Sequence, residues 1–297
     1  MYDRILVPLD GSEASEVALH LVQYLECRRV RLLRVEPPII GVDSSWTERV
    51  VARARRELET ATQQIQVQGR ASEIELEVRF GDSSEQIISS AADADLVVMA
   101  THGRGAAGRM IFGSTADRVA RHGTTPTLLI RRDVAADGPI TPQRVVVPLD
   151  GSELAEAALP ESEKLARGLD VSIRLVRAVG VDEVLATIRA GHAGADAVSP
   201  ASQGDADYEQ ARLDTERTAA EYLDLKAATL RERGLTIETE VLQETPAFAL
   251  LWAIQATDVV VMTTRGLGGY QRWLIGSVAE KLVREAAGPV LMVRSEK

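Results

Sequence analysis

Two stretches of this 297-residue chain space their residues in a way that suits anion binding. In the first, Leu96-Val97-Val98-Met99-Ala100-Thr101-His102-Gly103 is followed by nine residues and then Gly113-Ser114-Thr115. In the second, Val259-Val260-Val261-Met262-Thr263-Thr264-Arg265-Gly266 is followed by nine residues and then Gly276-Ser277-Val278. Each reads as a β-branched apolar run, a glycine loop, and a Gly-Ser pair opening an Ala/Val/Leu-patterned helix. A helix N-terminus presents unpaired N–H groups and partial positive charge, and glycines admit backbone to an anion with no Cβ in the way. That is the chemistry of a phosphate cradle, and a nucleotide tail is its natural guest. The plainer reading has Ser114 and Ser277 merely capping helices and the glycines merely turning the chain. It would prevail for a single loop; recurrence at identical spacing moves the balance toward the cradle.

The elements that position these loops are themselves repeated. Arg4-Ile5-Leu6-Val7-Pro8-Leu9-Asp10-Gly11-Ser12-Glu13 returns 140 residues later as Arg144-Val145-Val146-Val147-Pro148-Leu149-Asp150-Gly151-Ser152-Glu153. The chain is a tandem duplication. In each copy a strand ends in Pro-Leu-Asp-Gly-Ser, and the serine starts an amphipathic helix, which Pro160 is expected to kink or delay in the second copy. A second strand follows (Val30 to Val35, and Ile173 to Ala178), then a helix with Val50, Ala54, Leu58, Ala61 and Ile65 on one face, matched by Ala219, Leu223, Ala227 and Leu230. The second copy carries an insertion at about 180–207, small-residue and acidic, expected as a mobile surface loop. A third strand alternates (Ile74, Leu76, Val78 against Glu73, Glu75, Glu77; then Ile237, Thr239, Val241), as at a sheet edge. A short helix, the glycine-loop strand and its helix come next, and a fifth strand follows proline in each copy (Leu128-Leu129-Ile130 and Leu291-Met292-Val293).

Strands alternating with helices imply an α/β protein with two tandem, doubly wound, five-stranded parallel sheets. The divisions are 1–133, a linker 134–143, and 144–297. Ligands of such sheets sit beyond the carboxyl ends of the strands at the winding reversal, here between the first and fourth strands, which brings Asp10 and Asp150 to their glycine loops. The net charge of −10 and pI near 5.1 disfavour nucleic acid or an anionic membrane surface as partner. No secretory leader or membrane-length apolar run is read, so a cytoplasmic location is expected. The single Cys27 falls in an apolar helical pattern and reads as a packed thiol without redox role.

On these motifs the chain resembles a tandem universal stress protein along nearly its whole length. Nucleotide-binding members show Gly-x-x-Gly, nine residues, then Gly-Ser or Gly-Thr; here Ala100 and Thr263 stand in place of the leading glycine. The resemblance implies a Rossmann-like, adenine nucleotide alpha hydrolase-like fold with strand order 3-2-1-4-5. It implies ATP, with or without Mg2+, held by Gly103, Gly113, Ser114 and Thr115 at the phosphates and Asp10 near the adenine, and in copy two by Gly266, Gly276, Ser277, Val278 and Asp150. Val35 and Ala178 would contact the base through main chain. It also implies an internal domain pair meeting at the fifth strands, leaving open further association of whole chains. Ala100 adds one methyl to the cradle, and Thr263 a bulkier branched side chain. Arg109 and Arg272 hold equivalent loop positions and read either as paired donors to phosphate or as solvated surface arginines. Asp10 and Asp150 read as base contacts or as helix caps, roles that are compatible.

Several function classes lack their residues. Gly108 to Thr115 has Ser114 where a Walker loop needs lysine. Neither a metal cluster nor a nucleophile elbow is read, so catalysis is expected to be absent or limited to slow ATP hydrolysis. A nucleotidyl-transferring enzyme would need loops of the His-x-Gly-His or Ser-Gly-Gly type after the first strand. Two readings stand: a stress-response regulator that binds ATP and changes its contacts with protein partners, and, as alternative, a scaffold module of the same fold that binds no nucleotide.

Overall fold

The computed structural model describes residues 1–38, 41, 44–66, 71–101, 113–135, 140–192, 204–264 and 276–295. In the first copy, strands β1 (Tyr2–Pro8), β2 (Cys27–Glu36), β3 (Ala71–Phe80), β4 (Leu96–Thr101) and β5 (Thr127–Arg131) alternate with helices α1 (Glu13–Val22), α2 (Ser44–Gln66), α3 (Ser83–Ala91) and α4 (Ser114–His122). The second copy has β6 (Arg144–Pro148), β7 (Ser172–Val179), β8 (Ile237–Gln243), β9 (Asp258–Thr264) and β10 (Val290–Arg294). Its helices are α5 (Glu153–Glu156), α6 (Leu159–Leu169), α7 (Val181–His192), α8 (Gly204–Glu232), α9 (Pro246–Ala253) and α10 (Ser277–Glu285).

All ten strands form one sheet, in the order β3-β2-β1-β4-β5-β10-β9-β6-β7-β8. Each half is parallel throughout and wound 3-2-1-4-5. The halves join where β5 and β10 pair antiparallel, with Leu128 opposite Leu291 and Leu129 opposite Val290. Helices cover both faces, which is why the central strands are continuous apolar runs: Ile5, Leu6 and Val7 are all fully buried. Ile5 and Val7 turn to a core built with α1, α2, α6 and α8, and Leu6 to one built with α3, α4, α9 and α10. Both cores run through both halves, since Val145 and Val146 continue them. Ile140, between the copies, is buried in the first core and anchors that stretch of chain.

β3 and β8 are the edges. On β3, Ile74, Leu76 and Val78 pack on the α1–α2 core. The alternating glutamates on the other face meet arginines of β2, Arg29 to Glu73 at 3.0 Å and Arg31 to Glu75 at 3.1 Å. The alternation of the sequence is thus an ion-pair ladder at a sheet edge.

Two local expectations are corrected, those for Cys27 and for the insertion, and the break expected at Pro160 is present. Cys27 opens β2 and is not helical: α1 ends at Val22, a turn follows, and the buried thiol, raised by desolvation and by Glu26 to about 11, packs in the sheet. The insertion is not simply a loop. Val181–His192 is a helix, α7, that buries Val184 against Ala211 and Ala219 of α8, because Val184 and Ile188, one turn apart, give it an apolar stripe. Residues 193–203 of that insertion lie outside the described residues. Pro160 sits in the first turn of α6, where its missing N–H costs no helical bond, and the expected amphipathic helix is split into α5 and α6.

Candidate functional site

The turn after β1 is built by its own side chains. The Asp10 carboxylate Oδ1 accepts from the Ser12 amide at 2.9 Å and the Ser12 hydroxyl at 2.6 Å. Ser12 is the N-cap of α1, accepting from the Ser15 amide, so the aspartate braces the cap and is not itself the cap. Asp150 holds Ser152 with the same two distances, and Ser152 caps α5. Burial alone would raise the Asp10 carboxyl, but the Ser12 and Ser15 bonds and the Arg34 charge outweigh it and hold it below the usual range. Gly11 has φ +79, which favours glycine, and a Cβ there would lie 2.6 Å from the Arg34 guanidinium, which would have to move aside.

Across the cleft, α4 opens at Gly113 with φ 83 and ψ 142 and no side-chain cap. Ser114 therefore occupies the first helical position and does not cap, as does Ser277 after Gly276 in α10. The first intrahelical bond is Asp117 to Gly113, 3.0 Å, leaving the amides of Ser114, Thr115 and Ala116 without a helical acceptor. In α10 the corresponding bond runs from Glu280 to Gly276, 2.9 Å.

These parts enclose a cleft of about 270 Å³ in the first half, at the carboxyl ends of β1 and β4. Asp10, Val35, Ala100, Gly113, Ser114 and Thr115 all line it. Leu33, Ile87 and Met99 complete its apolar wall, and Ser15 and Ser83 add hydroxyls. The second half has a cleft of about 360 Å³ lined by Asp150, Ala178, Thr263, Gly276, Ser277 and Val278. Gly103, Arg109, Gly266 and Arg272 lie outside the described residues.

Sequence reasoning missed the helix after each third strand as part of the wall. Ser83 and Ile87 of α3 line the first cleft, and their counterparts 163 residues on, Pro246 and Leu250, line the second. That constant offset was the available signal. It also missed what Thr263 does: its hydroxyl donates to the Leu154 carbonyl at 2.8 Å, tying β9 to α5. Arg34 and Arg177, at equivalent positions of β2 and β7, lie beneath the Asp-Gly-Ser turns. Arg34 pairs with Glu36 at 2.9 Å, and Arg177 pairs with Glu183 at 2.7 Å and stacks on Tyr222.

Among the described residues no three His, Cys, Asp or Glu side chains are grouped to hold a metal ion, and no helix is long and apolar enough to cross a membrane.

A model of the universal stress protein family matches residues 1–131 and again 142–294. A universal stress protein of Mycobacterium tuberculosis (strain ATCC 25618 / H37Rv) is 26% identical over 326 residues, covering 98% of this chain and 94% of its own length. Another, from Mycolicibacterium smegmatis, is 26% identical over 226 residues, 74% of this chain and 69% of that protein. Among solved structures, a universal stress protein from Archaeoglobus fulgidus DSM 4304 superposes with a TM-score of 0.67 at 17% identity, covering 98% of both chains. At that identity it is the fold that is shared.

Proposed function

The chain belongs to the universal stress protein family, and from that premise we propose that it binds an adenine nucleotide, ATP with or without Mg2+, at the cleft of the β1–β4 winding reversal, and that occupancy regulates contacts with protein partners. The observation carrying this reading is the juxtaposition, at the β1–β4 winding reversal, of an uncapped helix mouth with an apolar wall and a braced aspartate. The residues present fit the group. The amides of Ser114, Thr115 and Ala116, which have no helical acceptor, suit phosphate oxygens, Leu33, Val35 and Ile87 suit the flat faces of a purine, and Asp10 lines the same cleft. ATP supplies the charge that these amides answer; the protein contributes binding and orientation. Binding is the activity proposed, carried by the described residues of the two linings.

A ligand shifts an equilibrium only by its differential affinity for the two states, so the regulatory part of the proposal requires partner binding to depend on ATP. The direct test is to denature freshly purified protein and chromatograph the supernatant for adenine nucleotide, alongside thermal melts with and without ATP and Mg2+. Released nucleotide and a raised melting temperature are expected. An empty supernatant with unmoved melts would favour the scaffold reading.

A further inference from the structure

The two clefts keep the same frame but not the same donors. Ser83, opening α3, offers the first cleft a hydroxyl and an amide; its counterpart Pro246, opening α9, has neither. Thr115 offers a hydroxyl where Val278 offers a methyl. In the first cleft the hydroxyls of Ser83, Ser114 and Thr115 have no hydrogen-bond partner among the described residues and remain available to a ligand. In the second, only Ser277 is so placed: the Ser152 hydroxyl is held by Asp150 at 2.6 Å and that of Thr263 by the Leu154 carbonyl at 2.8 Å. Leu154 itself lines the second cleft, where the first has no counterpart lining from Ala14. Space is not the difference, since the second cleft is the larger, about 360 against about 270 Å³.

A phosphate oxygen in the second cleft would still meet the amides of the α10 mouth and the Ser277 hydroxyl, but Pro246 and the Val278 side chain offer none of the donors that Ser83 and Thr115 add in the first, and a charged group matched by fewer donors recovers less of its desolvation cost. A purine and ribose would lose little there, because the apolar wall persists as Val176, Leu250 and Met262 and the aspartate as Asp150. We infer that the clefts are inequivalent: the first selects the triphosphate, and the second takes an adenine ligand of low charge, of the nucleoside class. This rests on the nucleotide reading above and names the ligand chemistry of each half.

The test is calorimetric titration of the full chain with ATP·Mg2+ and, separately, with adenosine. The parent should show a single tight ATP site, with any second site weaker by at least about tenfold, the cost of losing a donor to a charged group. Adenosine should occupy the second cleft, and should go on doing so in Gly113→Val, which removes the first. The double variant Pro246→Ser/Val278→Thr, checked for native circular dichroism, should gain a second tight ATP site. Two equally tight ATP sites in the parent would overturn the inequivalence while leaving the nucleotide reading intact. So would a folded double variant that gains no ATP site. Failure of the parent to bind either ligand would overturn the nucleotide reading and this inference with it.

Discussion

At the residue scale, the two helix mouths differ in a backbone angle that decides which substitutions they tolerate. Gly113 has φ 83 and ψ 142, a conformation open essentially to glycine, whereas Gly276 has φ −61 and ψ 152, ordinary for any residue. Gly113→Val should therefore cost about 1–3 kcal/mol in urea unfolding and abolish ATP binding in the first cleft. A Cβ at Gly276 meets no atom within 4 Å, so Gly276→Ala should leave stability within about 0.5 kcal/mol of the parent, and any change in ligand affinity would then be local to the cleft. A Gly113→Val protein binding ATP as well as the parent would put the cradle elsewhere. Gly113, Asp10 and Ser114 were legible in the sequence because duplication marked them at the ends of repeated apolar runs. Thr263 was legible as a position but not as a role. The carbonyl that receives its hydroxyl lies 109 residues away on a four-residue helix, and no local pattern reports such a contact. Arg34 and Arg177 recur at matched positions of the repeated second strand, yet their role was not legible, since a charged residue inside a strand reads as solvated until the turn above it is in place.

At the element scale, periodicity was a sound guide wherever an element buries one face along its whole length, as α2 and α8 do with Ala54, Leu58, Ala219 and Leu223. It misled where composition hid a short stripe, as in α7, whose Val184 and Ile188 lie among small and acidic residues. The β2–β3 edge shows the opposite case, in which polar alternation is the structure. Arg31, largely buried, reaches Glu75 and Asp93 at 3.1 and 3.0 Å and Glu77 at 3.7 Å. Arg31→Ala would leave these carboxylates short of a cation, and a loss of about 1–2 kcal/mol is expected, reduced by the solvent around Asp93. Glu77 is held below the usual range: its own burial opposes this but is outweighed by the Ser90 and Arg79 bonds and the arginine charges. Asp93 is lowered chiefly by its bond from Arg31. Groups with lowered folded values stabilise above their ordinary value, near pH 4, and lose that contribution as pH falls through the lowered one. Urea midpoints of parent and Arg31→Ala should accordingly differ most at neutral pH and converge in acid; a gap that persists at pH 2 would mean the arginine acts by packing and not by charge.

At the scale of the whole molecule, the short β5–β10 pairing is not the only seam between the halves. Tyr2 of the first strand, fully buried, donates to Glu161 of α6 at 2.7 Å, Lys164 lies over the Tyr2 ring and 3.5 Å from Asp95, and the Glu26 amide bonds the Gly168 carbonyl at 2.8 Å. Burial raises the Glu161 carboxyl, with Asp95 adding to the effect, and neither the Tyr2 bond nor the Lys164 and N-terminal charges restore it. Its sign is opposite to that of the ladder. A carboxyl whose folded value lies above its unfolded one stabilises fully below the ordinary value and loses that contribution as pH rises through the raised one, because its charged form is the one the seam disfavours. Glu161→Gln keeps an acceptor for the Tyr2 hydroxyl and removes the charge to be desolvated. Its melting temperature should exceed the parent's by a few degrees at pH 8, where about 1 kcal/mol moves a chain of this size by roughly 2–4 °C, and meet the parent's below pH 4. Melting curves that run parallel from pH 4 to 8 would mean that Glu161 stays solvated and adds no pH-dependent contribution to the seam. Convergence in acid would instead place a buried carboxyl where the first strand of one copy touches a helix of the other, making this contact between the halves one that neutral pH strains and acid relieves.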